Sequence, residues 1–248
     1  MSETINFFWL GDKLGLLEQL SLKSFLDHGH KTILWAYNIK CHGVPSGVIV
    51  NNANEILSED RIFKYTGNGD CRVNSIGGFS DLFRYYLLNK VGGWYCDMDV
   101  TCLAPFNNIN QEYVIRPHKN TKIVGNILKT PNNNSFLEDC IAETERLVDK
   151  DNDRWIKPLE ILRDCVYKHG IDKFIVQKDW FGNDDIEEIR KMLNIGVFTK
   201  YINLPKYAIH WCNEAISTGR WDYSIKRDFN KPLPTTLFYN LLKKHELL

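Results

Sequence analysis

GGFSDLFRYYLLNKVGGWYCDMDVTCL, residues 77–103, decides how this chain is read. From Ile76 to Val91 the residues recur at helical spacing, with Phe83, Tyr86 and Leu87 on one side and Asp81, Arg84 and Tyr85 on the other. Gly92-Gly93 stops that helix and lets the chain turn into WYCDMDVTCL, which reads as a strand. Side chains alternate along a strand, so Asp97 and Asp99 should share one face and Cys96 and Met98 the other. Two carboxylates about 5 to 7 Å apart beside an apolar run repel each other, and a divalent cation removes the conflict. Mg2+ or Mn2+ suits such oxygen donors, keeping one or two carboxylates and completing its shell with water and substrate phosphates. A lone Asp-x-Asp is also satisfied by solvent or by Lys and Arg neighbours. Asp81 and Arg84, one helical turn apart, read on their own as a surface ion pair of small weight. Here the helix ends in Gly-Gly and feeds directly into Asp-Met-Asp, which carries both charges toward the acids.

Outward from this stretch the pattern is α/β. INFFWL (5–10) is strand-like, LGLLEQLSLKSFLDHG (14–29) is amphipathic, and TILWAY (32–37) is a second strand, a βαβ opening that calls for a largely parallel sheet. VPSGVIVNNANEIL offers a short strand and a short helix, and RIFKYTGNGDCR a loop punctuated by Gly67 and Gly69. Further strands are expected at 113–116, 122–128, VFTKYI (197–202) and KYAIHW (206–211), and helices near 134–149, 156–168, 184–193 and over LFYNLLKK (237–244). No repeat or low-complexity linker divides the chain. The economical division is one domain over 1–248 with a helical C-terminal half.

Composition excludes several functions. Thirty-one basic and thirty-one acidic residues cancel, so no overall field gathers nucleic acid or an anionic membrane. There is no apolar tract long enough to span a bilayer, and MSETINFFWLGD lacks the pattern of a signal peptide. Seven cysteines with no C-x-x-C pair fit neither a disulfide framework nor a Cys-based zinc site and read as buried thiols in a reducing cytoplasm. P-loop, G-x-G-x-x-G, G-x-S-x-G and H-E-x-x-H signatures are all missing.

SDLFRYYLLNKVGGWYCDMDVTCLAPF resembles the DxD-containing, sugar-binding region of retaining glycosyltransferases, family 32-like and of the bacterial capsule or lipopolysaccharide type. The shared pattern is Ser-Asp, a hydrophobic pair and Arg, then Gly-Gly, an aromatic and D-x-D. The resemblance implies a GT-A fold, a Rossmann-like nucleotide-diphospho-sugar transferase, with residues 1–130 as the nucleotide-sugar and metal-binding core and 131–248 as acceptor-side helices and a C-terminal lid. It further implies that Asp81 binds donor-sugar hydroxyls, that Arg84 sits by the sugar and its diphosphate, that Asp97 meets the ribose, the sugar or the metal's waters, and that Asp99 ligates Mn2+ or Mg2+. Trp9, in INFFWLGD, corresponds to the aromatic that stacks on the base; without the family a core tryptophan is an equal reading. Asn126, in KIVGNILKT, would reach the sugar, an ordinary turn residue being the alternative. RWIKPLEIL stands where relatives have Gly-Pro before a helix, with Lys157 in place of the Gly.

YAIHWCNEAISTGRW resembles the family's C-terminal His-Trp element. It would supply His210 as a nitrogen ligand to the metal, with Trp211 and Trp221 as substrate contacts in a segment closing over the diphosphate. The implied activity is metal-dependent, α-retaining transfer of a hexosyl unit from a nucleotide-sugar, UDP-linked in the first instance, to a glycan or glycolipid in surface polysaccharide synthesis. Such an enzyme would be cytoplasmic, with peripheral contact at the inner face of the membrane through LFYNLLKKHELL as an option against packing of that tail on its own domain. The competing readings are a metal-dependent nucleotidyltransferase or phosphohydrolase, which lacks the expected third carboxylate and Gly-Ser phosphate loop, and a non-catalytic sugar-nucleotide-binding relative.

Overall fold

The computed structural model describes residues 3–182, 186–193, 204–219 and 226–248. Its central element is β1 (Thr4–Trp9), whose run Ile-Asn-Phe-Phe is buried on both faces, as a strand covered from both sides must be. Helix α1 (Leu16–Asp27) crosses to β2 (Lys31–Ala36), parallel to β1, and β3 (Ile49–Asn52) extends the sheet beyond it. The chain then returns through α2 (Gly77–Val91) to β4 (Gly93–Cys96), which pairs in parallel with the other edge of β1. Gly92 and Gly93 make that return with φ of +65° and +81°, and a side chain at Gly92 would come within 2.8 Å of the Asn132 backbone nitrogen. Two antiparallel strands, β6 (Val114–His118) and β7 (Lys122–Thr130), complete the order β3-β2-β1-β4-β7-β6.

This order reverses between β1 and β4, the place where open α/β sheets leave a crevice beyond the carboxyl ends of their strands. Trp9 ends β1 and Asp97 follows β4 at that crevice. Beneath it, one core lies between the sheet and α2, α3 (Ser135–Leu147) and α4 (Lys157–Lys168), centred on Phe8, Phe79 and Phe83. A second core joins α1 to the opposite face through Phe7, Phe25, Trp94 and Phe106. The third packs α1 against α5 (Ile186–Leu193), α6 (Asn213–Thr218) and α7 (Leu237–Lys244).

The expected elements that fall within the described residues are present with shifts of a residue or two, and one local reading changes. Cys96 ends β4, and Asp97–Asp99 form a turn, closed by a hydrogen bond from Val100 N to Asp97 O at 3.2 Å, before the short β5 (Val100–Cys102). Strand alternation therefore does not govern the two acids. On α2, Tyr85 and Arg84 are buried on one side and Phe83 and Leu87 on the other, so both sides are covered, while Tyr86 is half-exposed and donates to Glu145 Oε1 at 2.6 Å. A second, two-stranded sheet joins β5 to β8 (Ala208–His210), a pairing between segments a hundred residues apart that no local pattern announces. The α7 leucines Leu237, Leu241 and Leu242 are buried in the third core, so that tail spends its apolar face on its own fold rather than on a membrane. None of the seven cysteines is in a disulfide, and all are buried. The VFTKYI stretch lies outside the described residues. Among the described residues no helix is long and apolar enough to cross a membrane.

Candidate active site

Helix α2 delivers Asp81 and Arg84 to the crevice from one side. Arg84 Nη1 donates to Asp81 Oδ1 at 2.8 Å and Nη2 to Asp97 Oδ1 at 2.9 Å. The guanidinium is not on the surface: its side chain is 5% exposed and that of Asp81 16%, so the surface-pair reading does not apply. Tyr95 lies under it, with the guanidinium carbon 4.9 Å from the ring centroid. Burial disfavours the charge on Arg84, yet Asp97 and then Asp81 outweigh it and hold the group protonated. Burial pushes the Asp81 carboxyl up to about 6 despite Arg84, with Asp97 adding repulsion. Asp97 is likewise raised, by burial and by the neighbouring Asp99, against the pull of Arg84. Gly125 makes the arrangement possible, because a Cβ there would stand 2.6 Å from Arg84 Nη1.

The second acid is fixed by the β5–β8 pairing. Val100 sits opposite His210, Trp211 N donates to Asp99 O at 2.9 Å, and Asn213 N donates to Asp99 Oδ2 at 2.9 Å. His210 Nε2 is 3.4 Å from the same Asp99 oxygen, and its Nδ1 is 3.3 Å from Cys212 Sγ. The last turn before α6 needs Cys212 in the left-handed region, at φ of +51°. The structure brings Asp81, Arg84, Asp97, Asp99 and His210, which the resemblance assigned to one site, to one cleft of about 850 Å3, together with Trp9 and Asn126.

Asn126 reaches the cleft through an irregularity in the β6–β7 ladder. The register shifts between Ile115 and Arg116, so Ile115 faces Leu128 whereas Arg116 faces Val124, which leaves residues 125–127 without a partner position on β6. Asp97 N donates to Asn126 O at 2.9 Å, and Asn126 Oδ1 accepts from Arg116 Nη1 at 3.1 Å. A guanidinium has donors only, so the amide must turn its oxygen to Arg116, and its Nδ2 is left as a buried donor with no partner among the described residues. Asn126 itself is 2% exposed. Asn126→Asp keeps an acceptor for Arg116 and removes that donor. We expect its melting temperature to match or exceed that of the parent, while turnover of a nucleotide-sugar falls about tenfold, the cost of one hydrogen bond of about 1.5 kcal/mol. Equal turnover by the two proteins would show that Nδ2 meets nothing in the reaction.

Other expected contacts fall elsewhere. Trp211 is 1% exposed, donates its indole N–H to Thr101 Oγ1 at 2.8 Å, and packs edge-on against Phe229 and Phe238, so it is a core residue rather than a lining one. Trp221 lies outside the described residues. Trp9 is half-buried at the cleft, its indole nitrogen buried without a partner among the described residues. Lys157 opens α4, and the following Pro158 and Leu159 line the cleft. Sequence reasoning passed over Glu18, Tyr95, Arg116 and Gly125. Glu18 caps α1 through Gly15 N at 2.8 Å and lines the same cleft; burial raises its carboxyl, and Asp99 adds to the rise. Its G-x-x-E spacing was the available signal.

The donor set fits a divalent metal in charge and in element. Three carboxylates (Asp81, Asp97 and Asp99) face one guanidinium, with two of the three pushed up by burial and mutual repulsion, which marks a place short of positive charge. Among the described residues no group of three or more acidic, histidine or cysteine side chains is gathered as a closed metal site. Mg2+ and Mn2+ do not require one, since water and phosphate oxygens complete their shells.

Residues 22–115 match the family model described as "Glycosyltransferase sugar-binding region containing DXD motif". No curated protein matches the chain. Among solved structures it is similar to the PaToxG glycosyltransferase, with 15% identity and a TM-score of 0.48 over 69% of this chain and 71% of that one. It is also similar to the apo-form glycosyltransferase GlyE of Streptococcus pneumoniae TIGR4, with 12% identity and a TM-score of 0.45 over 98% of this chain and 63% of that one.

Proposed function

We propose that this chain is a glycosyltransferase that moves a hexosyl unit from a UDP-sugar to a glycan or glycolipid acceptor, with a divalent metal and with retention of α configuration. The observation that carries the reading is the buried Asp81–Arg84–Asp97 bridge beside Asp99 and His210 at the switch point of the sheet. Asp99 and His210 would hold Mn2+ or Mg2+, with Asp97 on its water side. Such an ion supplies charge to stabilise a diphosphate leaving group.

The chain's own residues account for the rest. Trp9 offers a face for the base at the end of β1. Asp81, kept in place by Arg84, accepts hydroxyl hydrogens of the sugar, and Asn126 Nδ2 donates to one of its oxygens. Arg84 adds fixed positive charge near the diphosphate without moving, because two of its N–H groups are already committed. The bond from the anomeric carbon to the phosphate oxygen breaks, a bond to the acceptor oxygen forms on the same face, and the acceptor's proton passes to the departing phosphate. Residues 1–130 form most of the donor side, and the residues after 130 add His210 to the metal and helices to the acceptor side. We place the reaction in the cytoplasm, at surface polysaccharide synthesis. Incubation with a panel of UDP-, GDP- and ADP-sugars plus Mn2+ tests the assignment: slow release of free sugar from a UDP-hexose is expected, and release of nucleoside monophosphate instead would overturn it.

A further inference from the structure

The cleft extends past the acids to a wall that the donor chemistry does not use. Two irregular segments form it, 65–76 and 149–155, and they are fastened together. Thr66 N donates to Lys150 O at 2.8 Å, Asp70 N to Asp153 O at 2.9 Å, and Trp155 N to Asp70 Oδ1 at 2.7 Å. Asn152 Nδ2 reaches Cys71 Sγ at 3.3 Å. The two backbones approach so closely that a Cβ on Gly69 would lie 2.0 Å from Asp153 O. Segment 65–76 is also closed on itself: Tyr65 N donates to Ser75 O at 2.9 Å, and Asn74 N to Tyr65 O at 2.8 Å, with Asn74 held at φ of +63°.

This fastened wall turns apolar surface outward. Trp155 is 39% exposed and Val73 58%, and both line the cleft that contains Asp81, Asp97 and Asp99. Exposed large apolar groups on a rigid wall mark a binding surface. Polar side chains, Arg72, Asn74 and His118, interleave with them in the same lining. A lipid chain is best held by continuous apolar surface, and an extended peptide by a free strand edge; residues 65–76 supply neither. A pyranose ring presents both an apolar C–H face and a rim of hydroxyls, the pair of surfaces this wall matches.

Resting on the reading above, we infer that Trp155 and Val73 form the acceptor subsite, and that the group seated there is a sugar ring at the end of a glycan. Trp155 takes the C–H face, while Arg72 and Asn74 meet ring hydroxyls. Because the wall is pre-fastened, little ordering is required on binding.

The test compares the parent with Trp155→Ala and Trp155→Phe, using methyl α- and β-hexopyranosides and octanol as probes. Saturation-transfer NMR, with no donor present, should show methyl glycosides bound by the parent and by Trp155→Phe, and the signal lost in Trp155→Ala. In transfer assays the acceptor KM should rise at least tenfold in Trp155→Ala, with donor hydrolysis within twofold of the parent and Trp155→Phe between the two. Unchanged glycoside binding and KM in Trp155→Ala overturns the subsite, as does octanol competing where glycosides do not. Glycoside binding that needs Trp155, with no UDP-sugar turned over, would retain the wall as a sugar site and sink only the proposed reaction.

Discussion

Arg84→Met is expected to abolish turnover and to destabilise the fold in a way that acid partly repairs. The guanidinium is the shared partner of Asp81 and Asp97, both recessed at the crevice. Removing one partner of a buried pair while leaving the charges in place costs about 3–5 kcal/mol. For a chain of this size that is a fall in melting temperature of roughly 10 °C or more. The pH dependence follows from the carboxyl pushed up to about 6 on Asp81. An acid whose folded value lies above its unfolded one binds more protons when folded. Its contribution to stability is therefore full below the unfolded value of about 3.9 and lost as pH rises through the folded one. Arg84 is the largest influence that lowers Asp81 and Asp97, so without it both values climb further. The deficit of Arg84→Met should be largest at about pH 8 and shrink toward about pH 5. Melting curves of both proteins across that range check this, and a deficit independent of pH would show that the two carboxylates do not depend on the guanidinium. Arg84→Lys should restore part of the stability but little turnover, because a single ammonium cannot fork between two acids.

The first half of this bridge was legible in the sequence and the second was not. Asp81 and Arg84 are one helical turn apart, and a helix-to-Gly-Gly-to-strand pattern says which end of the sheet they approach. Their burial was not legible, since helical spacing alone gives a face and not what covers it. Only the packing of Tyr95 beneath Arg84, and the missing side chain at Gly125, show that the pair is internal. Asp97 and Asp99 were read as strand residues because Trp, Tyr, Cys and Val surround them; a tight turn formed from Asp-Met-Asp carries no Gly or Pro to announce itself. Trp211 shows the opposite error. A His-Trp pair reads as functional in both members, yet β8 sends His210 to the cleft and Trp211 to Phe229 and Phe238. Arg116 is fully buried and reaches the cleft through Asn126, a link made by an irregular ladder that no periodicity reveals.

Asp99→Asn should separate metal binding from folding in a way that Asp97→Asn cannot. Asparagine keeps an oxygen to accept from Asn213 N, and the β5–β8 pairing that fixes the residue is made by backbone. The melting temperature should therefore stay within a few degrees of the parent. The anionic donor is gone, however, and with it the charge that would draw the ion. Turnover of the UDP-sugar is expected to fall on the order of 10^3-fold, about 4 kcal/mol of barrier. Calorimetric titration of Mn2+ in the presence of UDP should show the affinity lost in parallel, a readout that does not depend on catalysis. Asp97→Asn behaves differently because its carboxylate is also a partner of Arg84. It should lose stability as well as turnover, with Asp81 left to balance the guanidinium alone. If Asp99→Asn binds Mn2+ as the parent does and turns over at the same rate, the ion does not sit on this turn. Asp99 would then act only as the acceptor that seats α6 beside the cleft.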